Sequence, residues 1–452
     1  MEPVDPARAR RLAFLPPAPR ARGAGLEIAG AEGAYLFTPE GRRILDAAGG
    51  AIVANVGHGR AEVADAVARS LRTCTYVVPT FVTEERARLV ERLQERWLPE
   101  GVARVMLTSG GSESVDSAIR LARQHFVARG EPGRWKVVGR ELSYHGITLA
   151  ALAAGGHERR RRGFEPLLLP FPKAPPCYPL RCALCAGTCS LACADAVEEV
   201  ILREGPETVA AFLAEPIGGS TAGALVPPEG YWPRVAEICR RHGVLLLADE
   251  VMCGFGRTGR RFAVEHFGVV PDVLVGGKGL AGGYAPIGGV FARDEVVAPI
   301  AEAGQEVMFF TFGAHPAACA AADAVLDILE REKLVARAAE VGERLRRRLE
   351  AELADHPHVA EVRGRGLLLG VELVRDRATL EPFPAEARLA GRVVAAGLGM
   401  GVFFYPGGAG AARDVICLGP PFVIGDEEVE RIATVLPRAI DQAVARAQAR
   451  GA

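Results

Sequence analysis

Two short, uniformly apolar runs stand out in the hydrophobic pattern of the chain. One, VLLLA, ends in Asp249; the other, VLV, is followed by two glycines and Lys278. Both are too short and too evenly apolar for surface helices and read as strands buried on both faces. Around them the pattern alternates. Helical periodicity covers 61–72 and 83–97, a strand covers 102–107, and a helix runs over 114–129. Strands at 135–139 and 208–214 then alternate with helices at 191–203 and 231–241. Strands alternating with helices from about 60 to 300 predict an α/β fold with a mostly parallel, doubly wound sheet.

The pattern changes at Pro316. Helices at 316–331, 333–354, 384–396 and 426–447 are interspersed with strands within 359–374 and at 400–405 and 414–418, an α+β arrangement. Residues 25–48 read as short strands separated by turns at Glu32-Gly33 and Pro39-Glu40-Gly41. Three parts result: an N-terminal segment, 1–59, contributing to a small domain; a large domain, 60–315; and the C-terminal small domain, 316–452.

Ligands bind at the carboxyl ends of the strands in open parallel sheets. Ser112, Tyr144, Glu215, Asp249 and Lys278 all fall just after predicted strands. Composition sharpens the case of the lysine. Of 54 basic residues, only Lys136, Lys173, Lys278 and Lys333 are lysine. Arginine stays protonated and cannot form an imine, whereas a desolvated lysine can. Lys278 also lies in a collar of Gly276, Gly277 and Gly279, where the absence of side chains lets the backbone approach a ligand.

The 102–107 strand leads through Thr108-Ser109-Gly110-Gly111-Ser112-Glu113 into a helix. Unpaired amides, hydroxyls and the positive end of a helix dipole then meet at one place, which suits a phosphate. Ser112 could equally serve as a helix cap. The motif is neither the nucleotide-triphosphate loop nor the dinucleotide fingerprint. A lysine, an acid, a phosphate cradle and an aromatic plate together describe a pyridoxal 5'-phosphate site. Lys278 would condense with the aldehyde and Asp249 would keep the pyridine nitrogen protonated. Gly111 and Ser112 would hold the phosphate, with Tyr144 on one ring face and Val251 on the other.

The residues GAYLFTPEGRRILDAAGG, NVGHG, LGPPFVI and above all LLLADEVMCGFGRTGRRFAVEHFGVVPDVLVGGKGLAGGYAPIGGV resemble the class III pyridoxal-phosphate-dependent aminotransferases, of the fold-type I group. The resemblance covers nearly the whole chain. It implies Lys278 as the cofactor-linked lysine, Asp249 as its partner at the ring nitrogen, and Gly111, Ser112, Tyr144, His145 and Val251 in the cofactor site. Glu215, in AEPIGG, corresponds to an acid on the substrate side. Thr311 corresponds to a threonine that reaches the phosphate from a second subunit, which implies a homodimer. The expected reaction moves an amino group from an amine or omega-amino acid to a keto acid such as pyruvate or 2-oxoglutarate. An ammonia-eliminating lyase acting on an amino-alcohol phosphate or phosphonate is the alternative.

Several positions depart from the family pattern. Cys417 and Tyr405 stand where relatives carry carboxylate-binding arginines, Met308-Phe309 replaces a His-Gly pair, and Met252 replaces a glutamine. The pocket is therefore expected to be more apolar, with Arg413 a candidate anchor or a plain loop residue. A net charge of −1 argues against nucleic acid or an anionic membrane as a partner recognised by bulk charge. No apolar run approaches the roughly 18 residues of a membrane span. Without the apolar core of a secretory signal, the N-terminus points to a cytoplasmic protein. Five of ten cysteines, Cys177, Cys182, Cys185, Cys189 and Cys193, cluster in sequence. Their spacing admits a structural metal, but free thiols are the cytoplasmic default and no metal is expected.

Overall fold

A computed structural model describes residues 26–185 and 188–449. The central sheet contains β1 (Val102–Thr108), β2 (Lys136–Arg140), β3 (Lys173–Ala174), β4 (Val209–Ala214), β5 (Leu245–Asp249), β6 (Val273–Gly276) and β7 (Gly288–Arg293). Their spatial order is β1-β7-β6-β5-β4-β2-β3. β2 pairs in parallel with β3 and β4, β4 with β5, and β5 with β6. β7 runs antiparallel to both of its neighbours. The mostly parallel α/β sheet is the one expected. β4, β5 and β6 are buried along their whole length, as strands covered on both faces must be.

Three expected helices differ in their limits. The helix predicted over 114–129 is Gly111–Ala128, so Ser112 lies in its first turn and is not its cap. The 83–97 helix is regular over Glu84–Arg92 and then widens into a π-type turn, Leu93–Trp97, which buries the Trp97 ring. Its indole N–H donates to Glu330 Oε1 at 2.7 Å, anchoring the turn. The 384–396 helix breaks at Arg388, whose φ is +46°. A short turn, Ala385–Ala387, precedes the break, and the helix proper is Leu389–Gly399. Asp414 Oδ1 accepts the Ala390 N–H at 2.9 Å, giving one orphan donor of the new helix start a partner.

Segments far apart in the chain share a second sheet. Gly30–Glu32, Tyr35–Phe37 and Arg43–Asp46 are joined by Val402–Phe403, which pairs in parallel with Arg43–Asp46. A third sheet pairs Val359–Arg365, Leu368–Leu373, Ala412–Leu418 and Tyr405–Ala409 antiparallel in that order. Arg257 ties these segments to the large sheet. Its buried guanidinium donates to the carbonyls of Ala54 (2.7 Å), Leu367 (3.2 Å) and Pro420 (2.6 Å). Burial lowers its pKa to about 9, against the pull of Asp46. Among the described residues no helix is long and apolar enough to cross a membrane.

The long helix Leu334–Leu353 packs so closely on the turn at Gly366 that a Cβ at Gly342 would strike the Gly366 backbone. Gly342→Ala is therefore expected to cost about 1–3 kcal/mol, the usual range for overpacking. A fall in the chemical-denaturation midpoint would register it.

Candidate active site

Adjacent parallel strands bring the reactive groups to one edge. Asp249 is the last residue of β5, Glu215 follows β4, and Lys278 follows β6 after Gly277. A cavity of about 170 Å³ at this edge is lined by Gly111, Ser112, Tyr144, His145, Glu215, Asp249, Val251 and Lys278. These are the predicted site residues except Thr311, which lies exposed outside the cavity of its own chain. Gly146, Gly219 and Ser220 also line the cavity and were not singled out from the sequence. Gly146 had a usable signal, since it follows Tyr144-His145 after a strand. Its φ of +134° and close packing on Ser112 leave no room for a side chain.

Asp249 is buried and held on both oxygens. Oδ2 lies 2.7 Å from His145 Nδ1, and Oδ1 accepts the Val251 N–H at 3.0 Å. His145 is itself buried, and its Nε2 has no partner among the described residues. The contact with a carboxylate favours the tautomer carrying its proton on Nδ1. His145 thus fixes the orientation of Asp249, a role its place in the sequence did not reveal.

Lys278 has a φ of +39°, a left-handed conformation uncommon outside glycine. Strain of this kind gathers at functional sites. Burial pulls its ammonium pKa below the ordinary lysine value; Asp249, Glu215 and Cys253 work against that pull. Glu215 is pushed upward by burial, offset by His145 and Arg140. Its Oε1 accepts from Gly219 N at 3.2 Å and Tyr144 N at 3.4 Å, while Oε2 has no hydrogen bond. The site thus pairs a destabilised ammonium with two buried acids.

The residues can accommodate an anionic, flat, cationic-ring ligand. The amides of Gly111, Ser112 and Glu113 head an 18-residue helix and have no intrahelical acceptor. Gly111 must lack a side chain, because a Cβ there would lie 2.8 Å from Val251. Ser112 Oγ accepts the Ile147 N–H at 3.2 Å, which joins the helix start to the Tyr144 loop. Asp249 supplies a fixed anion and Tyr144 an aromatic face.

The departing positions fall in different places. Tyr405 and Cys417 are cross-strand partners; Cys417 is fully buried and outside the cavity lining. Met252 does line the cavity. Met308 and Phe309 are exposed and border a separate groove with Pro79 and Thr80. Arg413 is a half-buried strand residue, correcting its reading as a loop arginine, and does not line the cavity.

The cysteine-rich segment packs beside the site. Cys177 is buried and accepts from Arg140 Nη1 at 3.0 Å; Arg140 in turn donates to the Glu215 carbonyl at 2.6 Å. Tyr178 and Arg181 bind Glu372 on the third sheet, Arg181 Nε at 2.7 Å. Cys193 is buried in the helix Ala192–Glu204, as expected. Hydrogen bonds from Ser190 and Cys182 bring the Cys185 thiol down to about 7. All ten cysteines are unbridged, and among the described residues no set of three or more metal-binding side chains is arranged for an ion.

Glu250, next to Asp249, is wholly buried with Oε2 unpartnered. Burial raises its pKa from 4.5 to about 7, opposed by the backbone N–H groups of Ala263 and Val264. Between those two values the folded state holds a proton that the unfolded state has released, so stability falls as pH rises through the window. The loss is complete above about 7 and amounts to roughly 3 kcal/mol. Glu250→Gln should match the wild type near pH 4 and be the more stable protein at pH 8, as denaturant titrations at both pH values would show.

Comparison with known proteins places these features in context. The family model described as aminotransferase class-III matches residues 19–440. An uncharacterized aminotransferase of Schizosaccharomyces pombe is 38% identical, over 92% of this chain and 92% of its own. A putrescine–pyruvate aminotransferase of Pseudomonas aeruginosa is 35% identical over 92% and 91%, and a taurine–pyruvate aminotransferase of Rhodobacter capsulatus 37% over 90% and 90%. Among solved structures, the omega transaminase from Pseudomonas jessenii in complex with PMP aligns with a TM-score of 0.91 and 32% identity, covering 98% of this chain and 99% of that one.

Proposed function

The chain belongs to the class-III aminotransferases, and we propose that it transfers an amino group from an amine or omega-amino acid to a keto acid such as pyruvate or 2-oxoglutarate. The observation that carries this reading is the convergence of Lys278, the Asp249–His145 pair and the Gly111–Ser112 helix start on one cavity. Relatives named for putrescine and taurine support a donor whose amine is not on the α-carbon of an amino acid.

Pyridoxal 5'-phosphate, when bound, supplies an aldehyde for amine capture and an electron sink for the carbanion formed on deprotonation. Lys278 is the residue that would hold the aldehyde through its Nζ. Freed by the substrate amine, its Nζ would serve as the base that takes and carries the substrate-carbon proton. Desolvation suits it to this role by weakening its hold on a proton. Asp249, oriented by His145 and the Val251 amide, would face the ring nitrogen and favour its protonated form. Gly111 and Ser112 would hold the phosphate at the helix start. Tyr144 and Val251 would enclose the ring, with Glu215 on the substrate side.

The same reading makes the active unit a cytoplasmic homodimer. Phe81, Val82, Met308, Phe309 and Phe312 are large apolar side chains at least half exposed on the loops around Thr311. Tyr76 and Phe312 stack edge to face at 6.2 Å, linking the two loops. A second copy covering this surface would bring Thr311 to the partner's phosphate seat.

Two experiments test the proposal. Borohydride reduction of the loaded enzyme, followed by peptide mass analysis, should fix the cofactor on Lys278; Lys278→Ala should carry no adduct and lose at least about 100-fold in kcat. Attachment at another lysine would refute the assignment. A panel of amine donors with pyruvate or 2-oxoglutarate should yield the aminated keto acid, whereas free ammonia without keto-acid consumption would favour the lyase. For the assembly, Phe312→Glu should shift the sedimenting species from dimer to monomer.

A further inference from the structure

The sequence leaves the substrate's acid group without an anchor, because the positions expected to supply one hold Tyr405 and Cys417. The structure offers a different cation. The run Arg159–Arg162 follows the Tyr144 loop and would ordinarily be a solvated face. Its members behave differently. Arg161 is fully committed to the fold: its Nη1 donates to the carbonyls of Leu152, Ala153 and Gly155 at 3.3, 2.8 and 2.9 Å.

Arg160 turns toward the site. Its guanidinium carbon lies 4.3 Å from the centre of the Tyr144 ring, and Tyr144 lines the cavity. Among the described residues its side chain has neither a carboxylate partner nor a hydrogen bond, so its donors remain free. Arg160 is exposed and lies behind Tyr144 rather than in the cavity lining, yet its charge is felt inside. Burial is the main force lowering Lys278, with Arg160 adding to it; burial raises Tyr405, with Arg160 opposing it. The field of Arg160 is thus felt at both the reactive amine and Tyr405. Stacking on an aromatic ring orients a guanidinium while leaving its N–H edge free for a planar acid.

We propose that Arg160 is the specificity-determining anchor for the acid group of the substrate: the carboxylate or sulfonate of an omega-amino donor, and the carboxylate of the keto-acid acceptor. The assignment rests on the aminotransferase reading above and names the substrate class that this site selects. Tyr144 then has two functions, one face for the ring of the cofactor and the other for the arm that grips the substrate's far end. An uncharged amine needs no such grip, so loss of Arg160 separates the two donor types.

The test compares wild type, Arg160→Met and Arg160→Lys in each half reaction, with β-alanine and benzylamine as donors and pyruvate as acceptor. Arg160→Met should raise KM for β-alanine and pyruvate by about 10- to 100-fold, leaving benzylamine unchanged. Arg160→Lys should recover part of the loss. Calorimetric titration with propionate, which carries the acid but cannot react, should show the same order of affinities. Equal losses for both donors would mean that Arg160 acts through Tyr144 and would overturn the proposal, as would no change in any of the measurements. If wild type converted neither donor, the functional reading would fail, and propionate binding would still decide the role of Arg160.

Discussion

A buried anion and a buried amine must be held in register before either can act on a third group. The chain achieves this by ending neighbouring parallel strands, β5 and β6, with Asp249 and the approach to Lys278. Parallel pairing fixes both at the same edge of the sheet, and no loop is free to carry one away from the other. The remaining site residues support that arrangement: His145 and the Val251 amide occupy the Asp249 oxygens, while Glu215 extends from the next strand. Isolated charges in such surroundings would neutralise themselves. At Lys278 the two neighbouring acids oppose the desolvation that the amine suffers.

Much of this was legible from the sequence, because burial on both faces leaves a continuous apolar run that marks its own end. VLLLAD and DVLVGGK locate Asp249 and Lys278 without any contact information. The helix start at Gly111 was less visible. Ser112 is chemically able to cap a helix, and only the position of Gly110 as the flanking residue shows that it does not. Boundaries failed where long-range partners decide them. The break at Arg388 follows from Asp414 reaching the Ala390 amide, a contact between residues 24 positions apart. The turn at Leu93–Trp97 depends on Glu330, far along the chain.

The roles of His145 and Arg160 were hidden for a related reason. A histidine after a strand and an arginine in a basic run have many ordinary uses. What distinguishes these two is the identity of a single neighbour: a carboxylate 2.7 Å from one and a ring 4.3 Å from the other. The departures at Cys417 and Tyr405 were visible, but their consequence was not. Cys417 lies buried between strands and, like Tyr405, stays outside the cavity lining, so neither position supplies it a charge.

Arg257 binds the carbonyls of Ala54, Leu367 and Pro420, three segments far apart in the chain. Carbonyls cannot take its proton, and no carboxylate shares the position within ion-pair distance among the described residues. Removing any one of the three segments would leave a cation facing apolar neighbours such as Phe422 with its donors unmet. The segments around Ala54, Leu367 and Pro420 are therefore not independent of one another. A cut near residue 54 would be felt at Pro420, so the chain gains or loses its outer layer as a single cooperative unit.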